Sequence, residues 1–136
     1  MSSNAHEFEI ELLAAEGSVH PCQIRCHLID NSVRFEADSE CHDPFCTTQS
    51  DAFECLSRYR EYLEKLGSKP LCVGARLDAF PSGMCRDMGR GFSAYITKMG
   101  MAADSRPVNI FDPADAATIA TVGEQKLRHD KWLESF

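Results

Sequence analysis

Seven cysteines and five histidines give this chain enough sulfur and imidazole to hold a metal ion, and their spacing decides whether they can. Cys22, Cys26 and His27 precede Cys41, His42 and Cys46. Cys22 and Cys26 fall in an alternating stretch that reads as a strand, where four residues span about 13 Å. Two thiolates on one zinc must approach within about 4 Å, given Zn–S bonds near ~2.3 Å. Those two cannot share an ion. Cys41, His42 and Cys46 read as a loop and could converge, but no fourth ligand completes a zinc spacing. The sequence therefore predicts no metal and no cofactor, with cysteine acting as a small buried hydrophobe. The odd cysteine count also argues against a disulfide framework in a reducing compartment.

Three further arrangements could carry chemistry. Gly89-Arg90-Gly91-Phe92-Ser93-Ala94 matches G-x-G-x-x-A, the dinucleotide fingerprint. That fingerprint works only between a parallel strand and a helix whose N-terminus meets pyrophosphate. Here it follows a polar loop and opens a strand, so the glycines read as turn formers. Cys85 beside Arg86 could be a lowered-pKa nucleophile, but no histidine lies at a recognisable spacing from it. Asp78 and Asp87 could pair for acid–base work, although loop aspartates more often close local turns. No residue earns a catalytic assignment.

All three arrangements lie in one segment, residues 78–92, which is long for a connection between strands. It mixes Asp78, Arg86, Asp87 and Arg90 with Phe80, Met84 and Met88. Adaptable methionines beside arginine and aromatic rings suit a protein-contact surface. The same apolar residues could equally fold inward as a lid on the core, because loop hydrophobicity does not say which way a loop faces.

The elements that must position this segment follow from periodicity. Phe8, Ile10 and Leu12 alternate with Glu7, Glu9 and Glu11; Cys22, Ile24, Cys26 and Leu28 alternate with Gln23, Arg25 and His27; Val33, Phe35 and Ala37 follow. Turn chemistry at Glu16-Gly17-Ser18 and Asp30-Asn31-Ser32 separates them, which predicts a three-stranded meander with one apolar face. Phe53, Leu56, Tyr59, Leu63 and Leu66 recur at helical spacing, with Thr48 or Ser50 as cap and Gly67 as stop. Leu71, Val73 and Ala75 resume a strand pattern, as do Phe92, Ala94 and Ile96, and Val108–Phe111 is a short apolar strand. Thr121 and Glu124 form a capping-box pair, opening a last helix with Val122, His129, Trp132, Leu133 and Phe136 on one face. The expected fold is one α+β domain over residues 1–136: a mainly antiparallel sheet of five to six strands with two helices on one face.

Composition narrows the partners. A net charge of -7 excludes the basic footprint that nucleic acid or an anionic membrane requires. It favours a basic protein partner, which an acidic surface steers. The acidic first residues lack the base and apolar run of a signal peptide, and no stretch reaches membrane-span length, so a cytoplasmic protein is expected.

Pro81-Ser82-Gly83-Met84-Cys85-Arg86-Asp87-Met88-Gly89-Arg90-Gly91, followed by Ala94-Tyr95 and Val108-Asn109-Ile110-Phe111, resembles a pattern in small bacterial proteins. In size, acidity and strand–helix layout the chain is similar to immunity proteins of secreted antibacterial toxins, including type VI effectors. The resemblance implies a non-catalytic inhibitor that occupies the active site or substrate groove of a cognate toxin. That class has no residue-level motif, so the contact set comes from the chain itself. It comprises Asp38, Glu40 and Asp43 on the loop after the third strand, with Asp78, Phe80, Met84, Arg86, Asp87 and Arg90. The alternatives are a small enzyme built on the 78–92 loop and an assembly protein that forms a homodimer through a sheet edge.

Overall fold

The computed structural model describes residues 5–103 and 106–136. Alternation of apolar and polar residues builds four long antiparallel strands: β1 (Ala5–Leu13), β2 (Val19–Ile29), β3 (Ser32–Ser39) and β4 (His42–Gln49). They lie in the order β4-β3-β2-β1, and a two-residue strand β5 (Lys69–Pro70) closes the far edge. Ile10, Leu12, Cys22, Ile24, Cys26, Val33, Phe35 and Ala37 are buried on one face, as the period of two demands.

That face is covered by α1 (Ala52–Leu66), through Phe53, Leu56, Tyr59 and Leu63. Asp51 caps it by accepting the Glu54 N–H at 2.7 Å, one residue beyond the caps the sequence suggested. Gly67 ends it at φ 75°, where its N–H reaches back to the last carbonyls. Four cysteines, Cys22, Cys26, Cys55 and Cys72, are buried core residues. Burial pushes their thiols up to about 11 for Cys22 and about 12 for the others, so they pack as hydrophobes.

The second half adds a smaller antiparallel sheet, β6 (Ala79–Phe80), β7 (Ser93–Ile96) and β8 (Val108–Asn109), in that order. A short helix α2 (Gly83–Asp87) lies between β6 and β7, and α3 (Val122–Leu133) ends the chain. Thr121 and Glu124 form the expected capping box. The fold is thus α+β, with two sheets and three helices among the described residues. None of these helices is long and apolar enough to cross a membrane.

Four expectations change. Residues 42–49, including His42 and Cys46, form a fourth strand rather than a loop. Residues 73–75 make a 3₁₀ turn, because the N–H groups of Val73 and Gly74 bond to Asp112 and Ile110 carbonyls instead of a ladder. The 78–92 segment carries β6 and α2. On α3 the buried residues are Gln125 and Trp132, while Leu133 and Phe136 are exposed, and α3 packs on β6 and α1 rather than on the main sheet.

One buried polar knot ties the halves together. The Arg60 guanidinium, 1% exposed, donates to the Gly74 carbonyl at 3.1 Å, Gln125 Oε1 at 2.7 Å and the Ala120 carbonyl at 2.9 Å. Gln125 Nε2 in turn donates to the carbonyls of Gly74 and Arg76, at 2.9 and 2.8 Å.

Candidate functional site

The 78–92 segment divides into an inward and an outward half. Phe80 faces inward: its ring lies 5.2 Å from that of Phe53 and stacks on His129 at 3.9 Å, 12° from parallel. Met84 and Met88 face outward, 71% and 80% exposed, on a helix with no buried residue. Phe80 thus packs inward as a lid would, while Met84 and Met88 are left exposed.

Hydrogen bonds and ring contacts tie this outward half to β3 and α1. Ser82 caps α2 by accepting the Cys85 N–H at 3.0 Å, and the Gly91 N–H donates to the Cys85 carbonyl at 2.9 Å. The Arg90 carbonyl accepts the first N–H of α1, from Ala52, at 2.8 Å, and its guanidinium donates to the Ser32 carbonyl at 2.8 Å. Arg90 takes a left-handed φ of 55° to do so. Arg86 lies 5.2 Å above the Phe53 ring and 5.9 Å from that of Phe80. Its Nε is 3.6 Å from Asp51 Oδ2, so the cap of α1 is also a counter-charge of the platform.

Asp78 is paired within the chain. Arg76 grips it with two hydrogen bonds of 2.8 Å. Burial alone would raise its carboxyl, but the Arg76 bonds and charge outweigh burial and hold it below the usual aspartate range. Its carbonyl also accepts the Thr97 N–H at 2.9 Å, a structural bond. Asp87 is exposed on α2 beside the methionines.

Asp38, Glu40 and Asp43 form a second group, on a β3–β4 hairpin rather than a loop. Asp38 ends the outer face of β3, Glu40 sits in the turn and Asp43 begins β4; all three are exposed. Glu40 accepts from His20 Nδ1 at 2.9 Å, while Asp38 and Asp43 have no basic partner among the described residues. Farther along the same sheet face, charges neutralise one another: Arg25 lies between Glu7 and Glu36, and Arg34 bonds Glu36 at 2.9 Å.

One line of side chains escaped sequence reasoning altogether. Ser18 Oγ is 2.7 Å from His20 Nε2, and His20 Nδ1 meets Glu40. This has the outline of a nucleophile, base and orienting carboxylate. However, Ser18 has a single proton and Glu16 accepts it, a bond that holds the Glu16 carboxyl below its ordinary range. With its proton committed to Glu16, Ser18 is not poised for His20 to deprotonate, and the line reads as a clasp between two hairpins.

Comparison with protein-family models and with curated proteins found no match. Function must therefore be read from the site. Among the described residues, no group of three or more His, Cys, Asp and Glu side chains converges as metal ligands. Asp51 and Met88 adjoin these residues though the sequence contact set omitted them. The Asp51-x-x-Glu54 spacing, an N-cap signature, was the available signal for the first.

The His129 stack makes a pH-dependent contribution. Its Nδ1 is buried without a hydrogen-bond partner, and burial lowers its pKa below the ordinary value; Lys126, Arg128 and Arg86 lower it further, against Asp130. A histidine with a depressed folded pKa stabilises fully above its unfolded pKa near ~6.5 and loses that contribution as pH falls below it. The melting temperature should therefore drop as pH falls below about 6.5. His129→Phe, which keeps the stack, should flatten this limb. An unchanged limb in that variant would assign the drop to other groups.

Proposed function

We propose that this chain is a protein-binding inhibitor of the immunity type, which neutralises a basic toxin by covering its active site. The observation that carries this reading is the pair of solvent-exposed methionines, Met84 and Met88, on a platform fixed by Arg86, Arg90 and Asp51. Exposed apolar side chains on a preorganised support bind without the entropy cost of ordering a loop. Their flanking charges, Arg86, Asp87 and Arg90, form the polar rim that such anchors use. The unpaired acids Asp38 and Asp43, with Glu40, supply long-range attraction for a basic partner. Phe80 supports the platform from beneath rather than touching the partner.

The two groups give separable kinetics. Met84→Ala with Met88→Ala should speed dissociation by roughly tenfold or more, since apolar anchors act after encounter. Reversing Asp38, Glu40 and Asp43 to lysine should slow association and weaken its salt dependence, leaving dissociation nearly unchanged. The protein captured by the immobilised chain should arrest bacterial growth when expressed alone, and co-expression of this chain should restore growth. A captured protein that is harmless, or binding indifferent to both methionines, would refute the reading.

A further inference from the structure

The end of α1 and the start of α3 leave a cleft between them. Gly67 turns the chain out of α1 at φ 75°, and Ser68 then leads into β5. On the other side the Ala120 N–H is tied to the Ala75 carbonyl at 3.0 Å, just before Thr121 caps α3. The space between is about 240 Å³, below the ~300–1,000 Å³ of pockets for drug-sized ligands. Pro70 and Ile119 give it apolar walls, and none of its lining residues belongs to the contact set proposed above.

Its floor carries a cation with no carboxylate in contact. Arg60 lines the cleft at 1% exposure, yet its three acceptors, the Gly74 and Ala120 carbonyls and Gln125 Oε1, are all neutral. Arg76 shows what a guanidinium does beside a carboxylate: Nε and Nη2 together grip Asp78, at 2.8 Å each. In Arg60 the same two nitrogens have only the Ala120 carbonyl, at Nη2, and Nε–H is buried with no partner. Ser68 adds a second unmet group. It is 7% exposed and lines the cleft, and its hydroxyl has no hydrogen-bond partner among the described residues. Glu64, Lys69 and Glu124 also line the cleft, but all three are exposed and screened by solvent. The two acids are engaged at the start of α3: Glu64 accepts the Val122 N–H and Glu124 the Thr121 N–H, at 2.9 Å each. The buried charge of the cleft is therefore positive.

We infer that this cleft binds a small carboxylate with a short apolar body, the carboxylate against Arg60 and Ser68 and the body between Pro70 and Ile119. Only a small part of Arg60 reaches the cleft, so the attraction is mainly Coulombic. Burial strengthens it by removing the water that would screen the charge. The Ser68 hydroxyl donates to one carboxylate oxygen, a charge-assisted bond that is stronger than one to a neutral acceptor. An amide of the same shape meets the same walls but leaves the cation without a counter-charge. The inference does not depend on the inhibitor reading, since the two use separate residues.

Benzoate and benzamide, matched in shape, are the probes. Benzoate titrated into the isotope-labelled chain should shift the NMR amide signals of Gly67, Ser68, Ala120 and Thr121 to saturation, with benzamide about tenfold weaker. Ser68→Ala removes a hydroxyl that bonds nothing in the chain, so it should keep the melting temperature and weaken benzoate about fivefold. Glu64→Gln keeps an acceptor for the Val122 N–H and removes a repulsion, so benzoate should tighten about twofold while benzamide is unchanged. If Ser68→Ala fails to fold, the comparison of the two probes on the unaltered chain decides the matter. Benzoate shifts that stay linear to high concentration, equal affinity for both probes, or benzoate binding indifferent to a folded Ser68→Ala variant overturns the inference.

Discussion

Replacing Arg60 with methionine is expected to lower stability by about 3 kcal/mol, or roughly 10 °C in melting temperature for a chain of this size. The sign is not obvious, because a buried cation is costly. Burial lowers the Arg60 pKa, and no carboxylate hydrogen-bonds to it. Exchanging a buried charge for an apolar side chain can be neutral when all its partners leave together. Here the partners stay. Gln125 Oε1 becomes a buried orphan, at about 1–3 kcal/mol, and the half-buried Ala120 O loses its donor at a smaller cost. Gly74 O keeps the Gln125 bond. Arg60→Lys retains charge without the fork that reaches three acceptors, so it should lose nearly as much. Thermal melts of the two variants check this. A shift below about 2 °C for both would show that the strands and α1 hold the second half without this knot.

That knot also marks the limit of what sequence conveys. The first three strands and α1 were legible because their side chains obey a single period against one partner surface. β4 was not. Its inward positions Phe45, Thr47 and Gln49 include two polar residues, and Pro44 resembles a breaker although it occupies an edge where no donor is needed. α3 misled in the opposite sense: its most buried residue, Gln125, is polar and packs through bonds to residues about fifty positions away, while apolar Leu133 stays in solvent. Leu71, Val73 and Ala75 have strand alternation, but their chain runs against Ile110 and Asp112 as a turn. Gly74 is why it fits: a Cβ there would lie 2.5 Å from Leu56 Cδ2.

The same reasoning applies to the candidate site. Residue types drew attention to 78–92, because methionine beside arginine and aromatic groups suits a protein-contact surface. Composition could not separate Phe80 from Met84, because the sorting depends on Phe53 and His129, contributed by two distant helices. Nor could it separate Asp78 from Asp87, until Arg76 proved to hold the first. The edge position of β4 among the described residues was invisible for the plainest reason: an edge is defined by which strands are absent beside it.

Gly91→Ala should connect fold and site most directly. Gly91 has φ 76°, where an L side chain is strained, and it is buried against Asp51. A Cβ at this position would approach Asp51 Cγ to 2.8 Å and Cβ to 2.9 Å. Asp51 cannot yield freely, because it caps α1 through Glu54 and lies beside Arg86. The expected cost is about 2–3 kcal/mol: roughly 1 for the left-handed alanine and about 1–2 for the displaced cap. In an Asp51→Gly background the same substitution should cost only about 1 kcal/mol, since both the cap and the crowding Cβ are already gone. Denaturant midpoints of the two single variants and the double variant measure this coupling. Partner dissociation should accelerate in Gly91→Ala as it does without Met84 and Met88, because Arg86 and α2 lose the support that orients them. Additive losses in the cycle would detach Gly91 from Asp51. A coupled loss with unchanged dissociation would instead move the contact surface away from α2.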